Sequence, residues 1–171
     1  MKKTILPALI IGSSLSMSVA AEVNIEGVWQ VQGAENTQET LDTAVEEVVQ
    51  EMNFFIRKIA RSKLKEQAQV CSTWNFAALN NNFSWQCNQD EIFELAASAK
   101  DQSVTKQDGS TFTGTINRGD NFIETVLTSD KGVRTNMWKV VNESEMLYTA
   151  TIESEKIPQP LTWTLSYKLA Q

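Results

Sequence analysis

The feature that most constrains the fold is the regular recurrence of turn-forming segments in the second half of the chain. Four such segments follow one another: Asp108-Gly109, Asn117-Arg118-Gly119-Asp120, Asp130-Lys131-Gly132 and Asn142-Glu143-Ser144. Their spacing of roughly 10–13 residues is typical of antiparallel hairpins in a meander. It predicts strands over residues 110–116, 121–127, 133–141 and 145–152.

The last segment, residues 161–169, has the clearest strand pattern. Apolar side chains occupy every second position, with polar side chains between them, which predicts a strand with one buried face. Earlier candidate strands are residues 25–32, 70–76, 83–87 and 92–97. Antiparallel strands in chain order avoid exposed edges by closing into a barrel. We therefore predict a mainly β fold, an antiparallel up-and-down β-barrel of about eight to ten strands.

One long amphipathic helix is predicted after the first strand, over residues 37–67. Its apolar residues recur at steps of three and four and form one stripe: Leu41, Val45, Val48, Met52, Phe55, Ile56 and Ile59. Asn36 is the predicted N-cap, with Glu39 reaching back as in a capping box. Because a helix about 10 Å wide does not fit inside such a barrel, we expect it outside, across a mouth or an incompletely closed wall.

Residues 1–21 have the pattern of a cleaved signal peptide. Lys2 and Lys3 precede an apolar stretch over residues 5–17, and Ser18-Val19-Ala20 supplies the small residues that a signal peptidase needs. A single mature domain, residues 22–171, is then expected in the periplasm or outside a bacterial cell. No later stretch approaches the ~20 apolar residues of a membrane span.

The two cysteines, Cys71 and Cys87, are predicted to form a disulfide, because cysteines usually pair in oxidising compartments. Pairing them directly across a hairpin, however, places Trp74 and Phe76 on the face opposite Trp85. A shift of one residue restores the apolar match but separates the cysteines across the sheet. A bulge would reconcile the two registers, and the sequence leaves the choice open.

Charge and composition disfavour several function classes. The chain carries a net charge of −6, and removal of its two leader lysines makes it −8, which disfavours nucleic acid and anionic membranes as partners. It contains no histidine, the commonest general base and metal ligand. It has no phosphate-binding glycine loop, metal-ligand spacing or diagnostic carboxylate pair. We therefore expect no metal, no cofactor and no enzymatic activity.

The first strand carries Gly27-Val28-Trp29, a Gly-x-Trp motif followed by a long meander and an aromatic last strand. This order resembles the calycins, the superfamily of the lipocalins and fatty-acid-binding proteins. The resemblance implies a lipocalin-like barrel whose Trp closes one end and whose interior binds a small apolar molecule. The chain departs from this family in two ways. The basic residue that covers the Trp is usually Arg, whereas the last strand offers only Lys168, and fatty-acid-binding proteins carry two short helices where one long helix is predicted here.

The candidate ligand-binding residues are the large aromatic side chains and one cation of the predicted strands: Trp29, Trp74, Trp85, Arg134, Trp138, Tyr148, Trp163 and Tyr167. The rings either line a cavity or pack a filled core. Arg134 shares a strand face with Trp138. If that face points inward, the resemblance to fatty-acid-binding proteins implies that Arg134 holds a ligand carboxylate; otherwise Arg134 is an exposed charge.

Five cations end the predicted helix: Arg57, Lys58, Arg61, Lys63 and Lys65. These cations have two possible roles. They bind an anionic head group or an acidic partner, or they are solvated and complement the helix dipole.

These observations favour an exported, non-catalytic barrel that binds a small apolar or amphipathic molecule such as a fatty acid or lipid. The alternative is a periplasmic interaction or inhibitor protein, in which the barrel is filled and the helix or a sheet edge docks a protein partner. A cavity would favour the first reading, and an exposed apolar helix face would favour the second.

The first testable prediction is signal-peptide cleavage after Ala20 or Ala21. N-terminal sequencing of protein from the exported fraction should begin at Ala21 or Glu22, since both sites place small residues before the cut. A mature protein that keeps Lys2 and Lys3 would contradict both the export and the disulfide argument.

Overall fold

The computed structural model describes residues 24–79 and 81–170, so the predicted signal peptide (residues 1–21) lies outside the described residues. Two helices follow the first strand, α1 (Ala34–Gln50) and α2 (Phe54–Gln67). The strands are β1 (Gly27–Val31), β2 (Thr73–Leu79), β3 (Asn82–Cys87), β4 (Phe93–Ala96), β5 (Gln102–Thr105), β6 (Thr111–Arg118), β7 (Phe122–Ser129), β8 (Gly132–Asn142), β9 (Glu145–Glu153) and β10 (Leu161–Leu169). Neither of these helices is long and apolar enough to cross a membrane.

The ten strands form one antiparallel sheet that curls into a nearly closed barrel. Each strand pairs with the next one in the chain, except that β4 does not pair with β5. In addition, β1 pairs with β10, which joins the first strand to the last. The sheet edges are β4 and β5, where the Gln102 side chain accepts a hydrogen bond from the Ala96 amide at 2.9 Å. The predicted up-and-down barrel is confirmed. Sequence analysis missed β5, because only one of its four residues is apolar.

The predicted single helix is wrong, because the helical region contains a break between residues 50 and 54. Asn53 leaves the helical conformation and its side chain accepts a hydrogen bond from the Phe55 amide, which makes it the N-cap of α2. Arg57 donates to the carbonyl of Gln50, at the end of α1, and to that of Met52, in the turn after it, so it satisfies carbonyls beyond the regular helix. The predicted capping box is also wrong: α1 begins after Gly33, which has a positive φ of 62° and makes no side-chain cap.

The predicted apolar stripe divides at this break. In α1 and the turn after it, Leu41, Val45, Val48 and Met52 are buried, and α1 packs against β10. In α2 only Leu64 is buried, and Phe55 is 86% exposed. The packed helix is therefore α1, whereas α2 is attached mainly through α1.

The β2–β3 hairpin resolves the register that the sequence left open. Trp74 lies opposite Cys87 and Phe76 lies opposite Trp85, so these side chains share the inner face. The predicted disulfide between Cys71 and Cys87 is confirmed. It needs neither a bulge nor a mismatch of the apolar residues, because Cys71 precedes β2 and lies outside the paired segment.

The division of the stripe gives a second testable prediction. Val48→Asp should lower the free energy of unfolding by about 4 kcal/mol or more, because it buries an unpaired charge beneath α1. Phe55→Asp should change it by less than about 0.5 kcal/mol, because that side chain is exposed. Urea unfolding followed by circular dichroism measures both values. Similar losses in the two variants would mean that α2 is packed like α1.

Candidate ligand-binding site

One end of the barrel opens into a cavity of about 1280 Å³ that is partly open to solvent. The surrounding elements are α2 and the loops at residues 88–92, 106–110, 129–132 and 154–157. The apolar lining includes Met52, Ile56, Ile59 and Leu64 on the helical side and Phe93, Phe112, Leu127 and Ile152 on the barrel side. We refer to this space as the mouth cavity.

Arg134 lines the mouth cavity from β8. Its Nε donates to Asn136 Oδ1 at 3.1 Å, its Nη2 to the Tyr148 hydroxyl at 3.3 Å, and its Nη1 to the Gln67 carbonyl at 3.4 Å. The guanidinium also lies 5.7 Å from the centroid of the Trp163 ring. Within the described part of the chain, Arg134 forms no ion pair with a carboxylate. The half-buried cation is therefore held by neutral groups alone.

A line of hydrogen bonds across three strands fixes the groups beneath Arg134. The Tyr148 hydroxyl donates to Asn136 Oδ1 at 2.9 Å, and Asn136 Nδ2 donates to Thr125 Oγ1 at 3.2 Å. Asn136 and Thr125 are buried, and each finds its partner within this line. Because the two side-chain partners of Arg134, Asn136 and Tyr148, are themselves hydrogen-bonded, β7, β8 and β9 together orient the guanidinium.

Below this line the barrel interior is filled by aromatic rings. Six of them form an aromatic cluster in which Trp138 contacts all the others: Trp74, Phe76, Phe83, Trp85, Trp138 and Tyr148. The centroids lie 5.3 to 6.0 Å from that of Trp138, within the usual range for packed aromatic pairs. The space available to a ligand is therefore above the aromatic cluster, at the mouth.

The structure divides the eight predicted ligand-binding residues into two sets. The cavity lining includes Trp74, Trp85, Arg134 and Tyr148. The other four, Trp29, Trp138, Trp163 and Tyr167, are buried within the packing and are not part of that lining. Ligand contact by any of the eight stays a prediction.

Two of the packed residues have defined hydrogen-bond roles. The Trp29 indole donates to the Ile25 carbonyl at 2.9 Å, and the Tyr167 hydroxyl donates to the Cys71 carbonyl at 2.6 Å. Burial raises the pKa of Tyr167 above its ordinary value, so the hydroxyl stays protonated and keeps this bond. These bonds connect the segment before β1, at Ile25, and the segment after α2, at Cys71, to barrel strands.

Sequence reasoning missed several lining residues. Phe93, Phe112 and Leu127 line the cavity but are not among the residues that the sequence predicts to bind a ligand. They are ordinary apolar strand positions, so only the three-dimensional position of the mouth distinguishes them.

The five cations of α2 are largely engaged within the helix pair. Arg61 pairs with Glu46 and Lys65 pairs with Asp42, which joins α2 to α1. Lys63 pairs with Glu66, and Arg57 binds the end of α1. These contacts account for four of the five charges without an external anion.

No family model matches the sequence, and no curated protein matches it either. Solved structures match in fold. Fatty-acid-binding protein 1 of Echinococcus granulosus aligns with a TM-score of 0.53 at 12% identity, covering 86% of this chain and 98% of its own. A Schistosoma mansoni fatty-acid-binding protein in complex with arachidonic acid gives 0.52 at 12% identity, with coverage of 85% and 96%. The Caenorhabditis elegans lipid binding protein 8 gives 0.51 at 11%, with coverage of 86% and 99%. The chain has the fold of the fatty-acid-binding proteins.

The fatty-acid-binding-protein fold accounts for one of the two departures noted in the sequence. The helical region is a pair of helices between β1 and β2, as expected for these proteins, and not one long helix. The second departure remains, because Lys168 is exposed on the outer face of β10, where it does not cover Trp29.

The ion pairs between α1 and α2 give a third testable prediction. The hydrogen bond from Lys65 lowers the pKa of Asp42, and the hydrogen bonds from Arg61 lower the pKa of Glu46. The pairs therefore contribute fully above the ordinary pKa values of 3.8 and 4.5, and their contribution is lost as the pH falls through the lowered values.

Amide protection factors in α2 should consequently decrease between about pH 5 and about pH 3, and more than those in α1. Hydrogen exchange followed by mass spectrometry measures both helices in one sample. In Glu46→Gln the acid-induced decrease should be smaller. Equal decreases in α1 and α2 would contradict the idea that ion pairs hold α2.

Proposed function

We propose that the protein is an exported, non-catalytic carrier that holds one amphipathic lipid with an acidic head group, such as a fatty acid, in the mouth cavity. The acid binds at Arg134 and the apolar part contacts the apolar lining. The proposal is supported by the kinds of protein that share the fold. The neighbours are named as fatty-acid-binding or lipid-binding proteins, and one of them holds arachidonic acid.

The observation that carries the proposal is the position of Arg134 beside the apolar part of the mouth-cavity lining, with no ion pair to a carboxylate among the described residues. A half-buried cation that lacks a counter-charge favours an anion brought by a ligand. Apolar surface next to it favours a molecule that joins an acid to a hydrocarbon, because such a molecule satisfies both parts of the site.

Export is the second part of the proposal. It is supported by the Cys71–Cys87 disulfide, since such bonds persist in oxidising compartments, and by the signal-peptide pattern of residues 1–21. The carrier role and the location agree, because a lipid that crosses an aqueous compartment needs its apolar part covered.

An exposed apolar surface at the start of α2 favours a second candidate, a protein-interaction role. Phe54 and Phe55 are 77% and 86% exposed, and large apolar side chains this exposed often mark docking surfaces. Two results together would favour this candidate over the carrier role. Lipids would fail to bind, and a protein that co-purifies with the wild-type chain would no longer do so after both residues are replaced by Asp.

The fourth prediction tests the carrier role by calorimetric titration of the mature protein with a fatty acid and with its methyl ester. The acid should bind at one molecule per chain. Arg134→Gln should weaken acid binding about 10- to 100-fold, because it removes charge-assisted hydrogen bonds, and should leave ester binding nearly unchanged. Lys168→Gln is the matched control, since it removes an exposed strand cation on the outer face, and it should have no effect.

The proposal fails if no saturable binding occurs with fatty acids, sterols or phospholipids, and if native mass spectrometry of protein from its own host shows no retained small molecule. If acids and esters bind with equal affinity, the mouth cavity would still be the lipid-binding site, but Arg134 would not be the residue that binds the acid.

A further inference from the structure

We propose that the apolar chain of the bound lipid lies across the barrel mouth, against the underside of α2, and does not run down the barrel axis. The inference rests on the proposed function and specifies where the ligand of that function binds. Three features of the molecule support it: the aromatic cluster below the cavity, the height of Arg134, and the apolar face of α2.

The aromatic cluster closes the barrel below the mouth. Trp138 is fully buried, and the other five rings of the cluster have 5% or less of their surface exposed. Trp74, Trp85 and Tyr148 line the mouth cavity, whereas Phe76, Phe83 and Trp138 are not part of its lining, so the cavity ends at the cluster. A lipid chain that followed the barrel axis would therefore have to displace several packed rings at once, and protein interiors resist such displacement because they are close-packed.

Arg134 sets the height at which the acid is held. It is two residues from Gly132, where β8 begins at the mouth, and two residues correspond to about 7 Å along a strand. The acid is thus anchored near the rim, above the aromatic cluster. From this point the chain can extend only across the mouth unless the rings move.

The apolar face of α2 lies over this path. Ile56 and Ile59 line the mouth cavity, although they are 50% and 68% exposed. They are three residues apart, which places them on one face of the helix. Phe93, Phe112 and Leu127 form the opposite side of the cavity. A hydrocarbon chain between these two sides covers apolar surface on both, which explains why α2 presents isoleucines toward a space that is otherwise open to water.

The room available is sufficient for this arrangement. The mouth cavity measures about 1280 Å³, whereas ligand pockets commonly measure about 300–1,000 Å³. The chain needs no additional space within the barrel.

The fifth prediction compares two substitutions on α2 by titration with the same fatty acid. Ile59→Asp should weaken binding about tenfold or more, because it places a charge against the hydrocarbon chain. Phe55→Asp is the matched control, since it puts the same charge on the same helix, one turn away, at an exposed residue outside the cavity lining; its effect should stay below about twofold. Both positions are exposed, so both variants should fold.

A second measurement uses fatty acids brominated at different positions along the chain, because bromine quenches tryptophan emission at short range. The five tryptophans all lie on barrel strands, with none on α2. Trp85 lines the cavity and stacks on Phe93, so it lies beside the proposed path of the chain and is replaced in this measurement. In Trp85→Phe, bromine near the head should quench most, because Trp163 lies beside Arg134, and bromine at the chain terminus should quench least, because Trp138 is not part of the cavity lining.

Equal effects of the two α2 substitutions, or strongest quenching by the terminal bromine, would overturn the inferred location and leave the carrier role standing. If no lipid binds to the wild-type protein, the carrier role fails and the inferred location fails with it. Weakening by Ile59→Asp alone, with quenching that falls toward the chain terminus, is the result expected.

Discussion

Packing of aromatic rings around Trp138 is the interaction on which the rest of the structure depends. Its ring contacts side chains from β2, β3 and β9, and Trp138 itself lies on β8. One buried group thereby connects opposite sides of the barrel. Because these rings are buried and in contact with one another, they also limit which part of the interior stays free. The mouth is available to a ligand because the lower interior is already full.

The two helices have different physical supports, and the difference explains what α2 can do. The buried face of α1 packs on β10, so its position is set by the hydrophobic effect. In α2 only Leu64 is buried, and two ion pairs to Glu46 and Asp42 attach the helix to α1. Exposed ion pairs contribute little. The helix above the cavity is therefore held more weakly than the barrel beneath it, which suits an element that the proposed ligand would have to pass.

Much of the fold could be predicted from the sequence because turn-forming segments recur regularly in its second half and because strands such as β3 and β10 alternate between apolar and polar residues. The segment Leu161–Leu169 is the clearest case, and the cysteine pair was also predicted. The helix break was not, because Asn53 sits within an unbroken apolar period, and periodicity does not distinguish a cap from an interior residue. Periodicity is equally uninformative at Phe55, which continues the apolar stripe in the sequence although its side chain is exposed on α2. The sequence did not show whether Arg134 points into the barrel or into solvent, because either face of its strand could be the inner one.

Arg134 has enough hydrogen-bonding capacity to take a ligand acid without losing its present contacts. A guanidinium carries five N–H groups, and the structure uses three of them, toward Asn136, Tyr148 and the carbonyl of Gln67. One N–H on each terminal nitrogen remains, and a carboxylate offers two oxygens to meet them. The three existing bonds fix the guanidinium plane before a ligand arrives, so little orientational freedom is lost on binding. The bond to Gln67 adds a link to the last turn of α2. The residue that would hold the acid thus also positions the end of the helix that would cover the hydrocarbon chain of the proposed ligand.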